Sequence, residues 1–198
     1  MFSRYEVYTS IQSIYCYKGT NVLKNKLGIH DAAKLKKAEE EITLIKQMAL
    51  MQEPIHGRFT KNHLFSVHRF LFEDVYSFAG HMRREQISKA DTMFYPPSLI
   101  DRELNKVFAK LKGTGLSNDL NKDEFFEMSA YIMAELNIIH PFREGNGRAI
   151  REFIRELALY RNYELNWANI SKEHLLKASI ESVYNHRVLI DVLKQCAL

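Results

Sequence analysis

Cysteine is scarce in this chain. Cys16 and Cys196 are the only two among 198 residues, they stand near opposite ends, and neither belongs to a metal-ligand spacing. That argues against a disulfide framework and makes a reducing compartment the default. Proline is equally rare: Pro54, Pro96, Pro97 and Pro141 are the full set, so long stretches are open to helix. No apolar run approaches the roughly 20 residues that span a bilayer. The opening Met-Phe-Ser-Arg-Tyr-Glu lacks the apolar core of a secretion signal. The expectation is a cytoplasmic protein with no membrane partner, and export as an effector by another kind of signal stays compatible with it. An excess of one charge is also missing. Lys and Arg total 28 against 24 Asp and Glu, a net charge of +4, and no basic tract alternates with aromatics, so nucleic acid is not an expected partner. Repeats and low-complexity tracts are absent. With 46% hydrophobic and 26% charged residues, the composition fits a single domain over 1–198, with a lead-in over about 1–30 and a core over about 31–198.

What the chain does have is concentrated in His140–Arg151, His-Pro-Phe-Arg-Glu-Gly-Asn-Gly-Arg-Ala-Ile-Arg. His140 is a general-base candidate and Glu144 follows four residues later. Gly145-Asn146-Gly147 can turn several backbone N–H groups toward one point. Ile150, Phe153, Ile154 and Leu157 have helical spacing, so a helix begins near Gly147 and carries Arg148 and Arg151 on one face. Amides and helix dipole add at such a start, which makes it an anion site. The ligand expected from these residues is a polyphosphate, with Glu144 for its Mg²⁺ and the arginines for its oxygens.

The same stretch matches every specified position of His-x-Phe-x-Asp/Glu-Gly-Asn-Gly-Arg-x-x-Arg and so resembles the Fic (filamentation induced by cAMP) family. The resemblance implies an all-α fold, a Fic-type helical bundle with a short β-hairpin flap beside the active site. It also implies Mg²⁺-dependent transfer of AMP from ATP to a protein hydroxyl, which is adenylyltransferase activity (AMPylation). Carried onto this chain, it makes His140 the base toward the target side chain and Phe142 the anchor of the loop in the core. Glu144 becomes the Mg²⁺ ligand, Gly145, Asn146 and Gly147 the anion hole, and Arg148 and Arg151 the holders of the β- and γ-phosphates. Residues Tyr15–His30 resemble the family's lead-in segment. Ala79-Gly80-x-x-Arg83 with Ile87, Ser88 and Lys89 behind it resembles the flap that docks the target protein main chain to main chain.

Periodicity lays out the rest. Val22, Leu23 and Leu27 suggest a short helix ended by Gly28. Asp31 caps a helix that turns Leu35, Ala38, Ile42, Ile45 and Ala49 inward, leaves Lys36, Lys37, Glu39, Glu40 and Glu41 wet, and stops at Pro54. Thr60 caps the next, with Leu64, Val67 and Leu71 inward; His63 and His68, five apart, are poor partners for a metal. Ser98 caps a helix striped by Ile100, Leu104, Val107 and Leu111. Asn121 and Glu124 open a strongly apolar helix that delivers His140 at its end, where the dipole favours a protonated imidazole and so opposes a base. Arg161-Asn162-Tyr163 breaks the helix after the loop, and two more follow, from Ser171 and around Val188–Val192.

Many proteins of this family carry an inhibitory Ser/Thr-x-x-x-Glu-Gly/Asn helix whose Glu pairs with the second motif arginine. Neither Ser182–His186 nor Thr43–Gln47 supplies that Glu. A separate small inhibitory, antitoxin-like protein or no restraint at all is then expected, and self-AMPylation is a further expectation. Two alternatives stand beside AMP transfer: a relative using another nucleotide or a phosphocholine donor, and a non-catalytic partner-binding module. The intact Gly-Asn-Gly core and the retained His140 and Glu144 rank them lower.

Overall fold

Asp31 opens the first helix by accepting the Lys34 N–H at 2.8 Å. In the computed structural model, which describes residues 12–89, 92–116 and 120–198, this helix is α1, Ala32–Gln52. Lys61–Phe72 forms α2, Ser88–Lys89 (β1) and Thr92–Met93 (β2) form an antiparallel hairpin with Ser88 opposite Met93, and Pro97–Lys110 forms α3. Lys122–Ile139 is α4, Asn146–Tyr160 α5, Lys172–Glu181 α6 and Val188–Cys196 α7. The fold is all-helical apart from that hairpin and two isolated bridges among the described residues.

Helix α4 is the centre, packed against α3, α5 and α7, while α2 lies across α5 and against α1. Its start is fixed by a reciprocal capping box: the Asn121 side chain accepts the Glu124 N–H at 3.0 Å, and the Glu124 carboxylate accepts the Asn121 N–H at 2.9 Å. Phe125, Ile132, Leu136 and Ile139 are buried as their spacing requires. One hydrophobic cluster joins these to Leu64, Val67 and Leu71 of α2, Ile100 and Leu104 of α3, and Ile150, Phe153 and Leu157 of α5.

Three expectations are corrected. No helix forms over Val22–Gly28; Cys16 and Leu23 pair as a β-bridge around the Gly19 turn instead. Pro96 and Pro97, not Ser98, start α3, because proline's fixed φ suits the first helical position. On α1 the inward face differs in part: Leu35 is buried and Ile42 packs against the core as expected, but Glu39, Thr43 and Leu50 are buried too, whereas Ile45 is 68% exposed and Ala49 exposed. Glu39, assigned to the wet face by its charge, lies inside. Among the described residues no helix is long and apolar enough to cross a membrane.

Candidate active site

The C-terminus of α4, the loop after it and the hairpin enclose a cavity of about 240 Å³. Ile87, Ser88 and Lys89 line it from the flap; His140, Glu144, Gly145, Asn146, Gly147, Arg148 and Arg151 line it from the loop and α5. Two residues absent from the expectations, Phe94 and Arg143, complete the wall. Phe142 and Arg83 lie beneath it, both buried.

His140 ends α4 in the left-handed conformation, φ 49° and ψ 62°, which a non-glycine residue adopts only where its surroundings hold it. Arg83 is the main hold. Its Nε donates to the His140 carbonyl at 2.8 Å, its Nη1 to Glu85 at 2.9 Å, and its Nη2 to Tyr95 at 2.5 Å and Ile139 at 3.3 Å. One guanidinium thus ties both legs of the hairpin to the end of α4. The imidazole stacks on Phe94, 3.8 Å between centroids at 9°. Its Nδ1 lies 3.1 Å from the Asn137 carbonyl and can bond it only as N–H, which leaves Nε2 as the acceptor. Burial holds the group down to about 3, helped by the charges of Arg83 and Lys89 and opposed by the Asn137 bond. The dipole's preference for imidazolium therefore loses to desolvation.

The loop is locked by Asn146. Its Oδ1 accepts the Phe142 N–H at 2.9 Å and its Nδ2 donates to the Phe142 carbonyl at 2.8 Å. The side chain of Asn146 thus shapes the loop, and what it presents to the cavity is backbone at the first position of α5. Gly145 caps that helix at φ 80°, and a Cβ there would overlap the Phe72 ring. Phe142 is clamped between His68, stacked at 3.7 Å, and Phe65, edge-on at 5.4 Å.

The two motif arginines differ. Arg148 reaches α1, its Nη2 2.5 Å from the Glu39 carboxylate and its Nη1 donating to Thr43 at 2.9 Å; Glu144 lies 3.7 Å away. Glu39 also accepts the Tyr76 hydroxyl. No carboxylate pairs with Arg151 among the described residues, and burial, then the Arg148 charge, lowers it to about 10. Burial also raises Glu144, with the Glu39 charge adding and Arg148 opposing. A half-buried carboxylate on the wall of a cavity flanked by cations is the hard donor that Mg²⁺ takes when phosphates supply its other ligands, so the residues fit that ion. Among the described residues no cluster of three or more metal-ligating side chains exists. Any ion here would take most of its ligands from substrate and water.

Sequence reasoning missed Glu39, Phe94, Arg143 and His68. Glu39 had a faint signal in its four-residue spacing to Thr43, the reverse of the order in the inhibitory pattern, and it meets the first motif arginine, not the second.

The fold, loop and cavity agree with the comparisons. The Fic/DOC family model matches residues 58–158, and the chain belongs to that family. It is 36% identical over 88% of its length to protein adenylyltransferase VbhT of Bartonella schoenbuchensis, of which it spans 36%. It is also 36% identical over 80% of its length to the probable protein adenylyltransferase Fic of Salmonella typhimurium, covering 78% of that protein. Among solved structures, BepC of Bartonella tribocorum with bound AMPPNP superposes with a TM-score of 0.83 at 28% identity, covering 93% of this chain and 96% of that one.

Proposed function

We propose that the chain is a protein adenylyltransferase that moves AMP from ATP to a hydroxyl side chain of another protein. The observation that carries it is the pairing, on one cavity wall, of a neutral histidine whose Nε2 is bare and an arginine without a carboxylate partner, both among the described residues, beside the start of α5. His140 Nε2 takes the proton from the target hydroxyl as its oxygen bonds to the α-phosphorus. The α-phosphorus-to-bridging-oxygen bond breaks, and pyrophosphate leaves with the electron pair. Asn146 and Gly147 offer backbone N–H groups to the phosphates, Gly145 adds its own once the bond it donates to the Glu144 carboxylate at 2.9 Å opens, and Arg151 holds the terminal phosphate. Arg148 sits beside it, oriented by Glu39 and Thr43. Glu144 would hold a Mg²⁺, which would supply charge neutralisation at the phosphates.

The flap supplies the target's docking edge. Ser88 and Lys89 extend the segment beside Ile87, whose side chain is buried against the site, and an extended peptide adds to such an edge by main-chain hydrogen bonds. Self-AMPylation follows the same route when the docked segment is the protein's own. The unit is one domain and works in the cytoplasm, where ATP is abundant and Cys16 and Cys196 stay free thiols. A small inhibitory protein that brings a carboxylate to Arg151 would compete with the terminal phosphate there.

The test is incubation of the protein with Mg²⁺, a cell lysate and ATP labelled at the α- or the γ-phosphate. Label kept on protein from α-labelled ATP alone, and lost in His140→Ala while ATP still binds, is the expected result. Retained γ-label would make the reaction phosphate transfer and reverse the orientation assigned to the nucleotide.

A further inference from the structure

His68 of α2 is fully buried and belongs to none of the groups assigned to the reaction above. Its two ring nitrogens are both engaged. The Gly80 N–H donates to Nδ1 at 2.8 Å, so Nδ1 carries no proton. Nε2 then bears it and donates to the Glu144 carbonyl at 2.9 Å. The ring is also stacked face to face on Phe142, at 3.7 Å and 12°. One side chain therefore grips the loop twice, through the ring of Phe142 and the backbone of Glu144. Through Gly80 it also fixes the turn three residues before Arg83.

The consequence lies in which group of Glu144 is held. A carboxylate that takes a metal has to keep its place while cations and phosphates arrive, and its side chain moves with its own backbone. Gly145, next in the chain, is left-handed and pressed against Phe72, so the peptide between the two residues has little room to rotate. We propose that His68 is a positioning residue for Glu144: as the Nε2–H tautomer it clamps the Glu144 carbonyl and so aims the carboxylate into the cavity for the divalent ion. This rests on the reading of Glu144 as the metal ligand. Outer-shell partners of this kind are worth about 10–100-fold in metal affinity.

Two substitutions separate the bonds. Gln places an amide N–H near the Nε2 position and can keep the Glu144 bond; Asn reaches only the Nδ1 position and keeps the Gly80 bond. Mn²⁺ is titrated into each protein with a non-hydrolysable ATP analogue, and free Mn²⁺ is followed by electron paramagnetic resonance. Binding of the analogue in EDTA and thermal midpoints are measured beside it. The expected result is Mn²⁺ affinity at least about 10-fold weaker in His68→Asn, largely restored in His68→Gln, with affinity for the analogue in EDTA held in both. Equal weakening in the two variants, or unchanged Mn²⁺ affinity in His68→Asn, overturns the assignment. Unaltered Mn²⁺ affinity in Glu144→Gln would instead sink the metal reading itself. On the native protein, imidazole nitrogen shifts must report His68 as the Nε2–H tautomer; an Nδ1–H tautomer overturns the proposal whether or not the variants fold.

Discussion

The base role proposed for His140 requires an unprotonated ring, and its surroundings keep it so. Burial does most of this, with Phe94 stacked on one face and Arg83 and Lys89 opposing a further positive charge, while the bond that Nδ1–H donates to the Asn137 carbonyl works the other way. With the group lowered to about 3, the reactive form is fully populated above that value, and lost only as pH falls through it. The rate of AMP transfer should therefore stay level from about pH 8 to about pH 5, with no inflection near the ordinary histidine value of about 6.5. A pH–rate profile that halves near 6.5 would show that the ring titrates in water. Glu39 is the second residue whose setting defines its effect. Removing it in Glu39→Ala strands Arg148 and takes the acceptor from Tyr76. Breaking such a pair should cost about 2–4 kcal/mol, which urea unfolding would read. A loss below about 0.5 kcal/mol would mean the pair is solvated.

Helix α4 carries the site because its two ends are specified differently. The N-terminus is set locally, by Asn121 and Glu124. Asn121→Ala should lower stability by about 1 kcal/mol without changing the affinity for ATP, since that end lies far along the helix from His140. Denaturant midpoint and a nucleotide titration check the two halves separately. The C-terminus is set by tertiary contacts, chiefly the four carbonyls on Arg83. Helix α1 shows the opposite case, an element whose inward face matches its apolar spacing at Leu35 and partly at Ile42 but not at Ile45 and Ala49. Ile45→Glu should leave stability within about 0.5 kcal/mol, because Ile45 is exposed, whereas Leu50→Ala should cost about 2–5 kcal/mol. Equal losses would restore the face inferred from apolar spacing.

Across the whole molecule, the cavity exists because α2, α4 and α5 share a core that fixes the loop between α4 and α5, while the hairpin closes over that loop and α1 reaches it through Arg148. The chain's own pattern determined a great deal of this. The motif His140–Arg151, the capping box of α4, the turn at Asn162 and the stripes of α2, α3 and α5 are local, written in spacing and turn chemistry, and they appear where that chemistry puts them. Membership of the Fic/DOC family was likewise legible in twelve consecutive positions. Tertiary structure alone decided the rest. A carboxylate such as Glu39 looks wet until an arginine more than one hundred residues away meets it. A histidine such as His68 or His140 has no fixed tautomer or protonation until a carbonyl and an aromatic ring are brought to it. Burial and long-range pairing set both outcomes, and neither is a property of the residues that stand next to them in the chain.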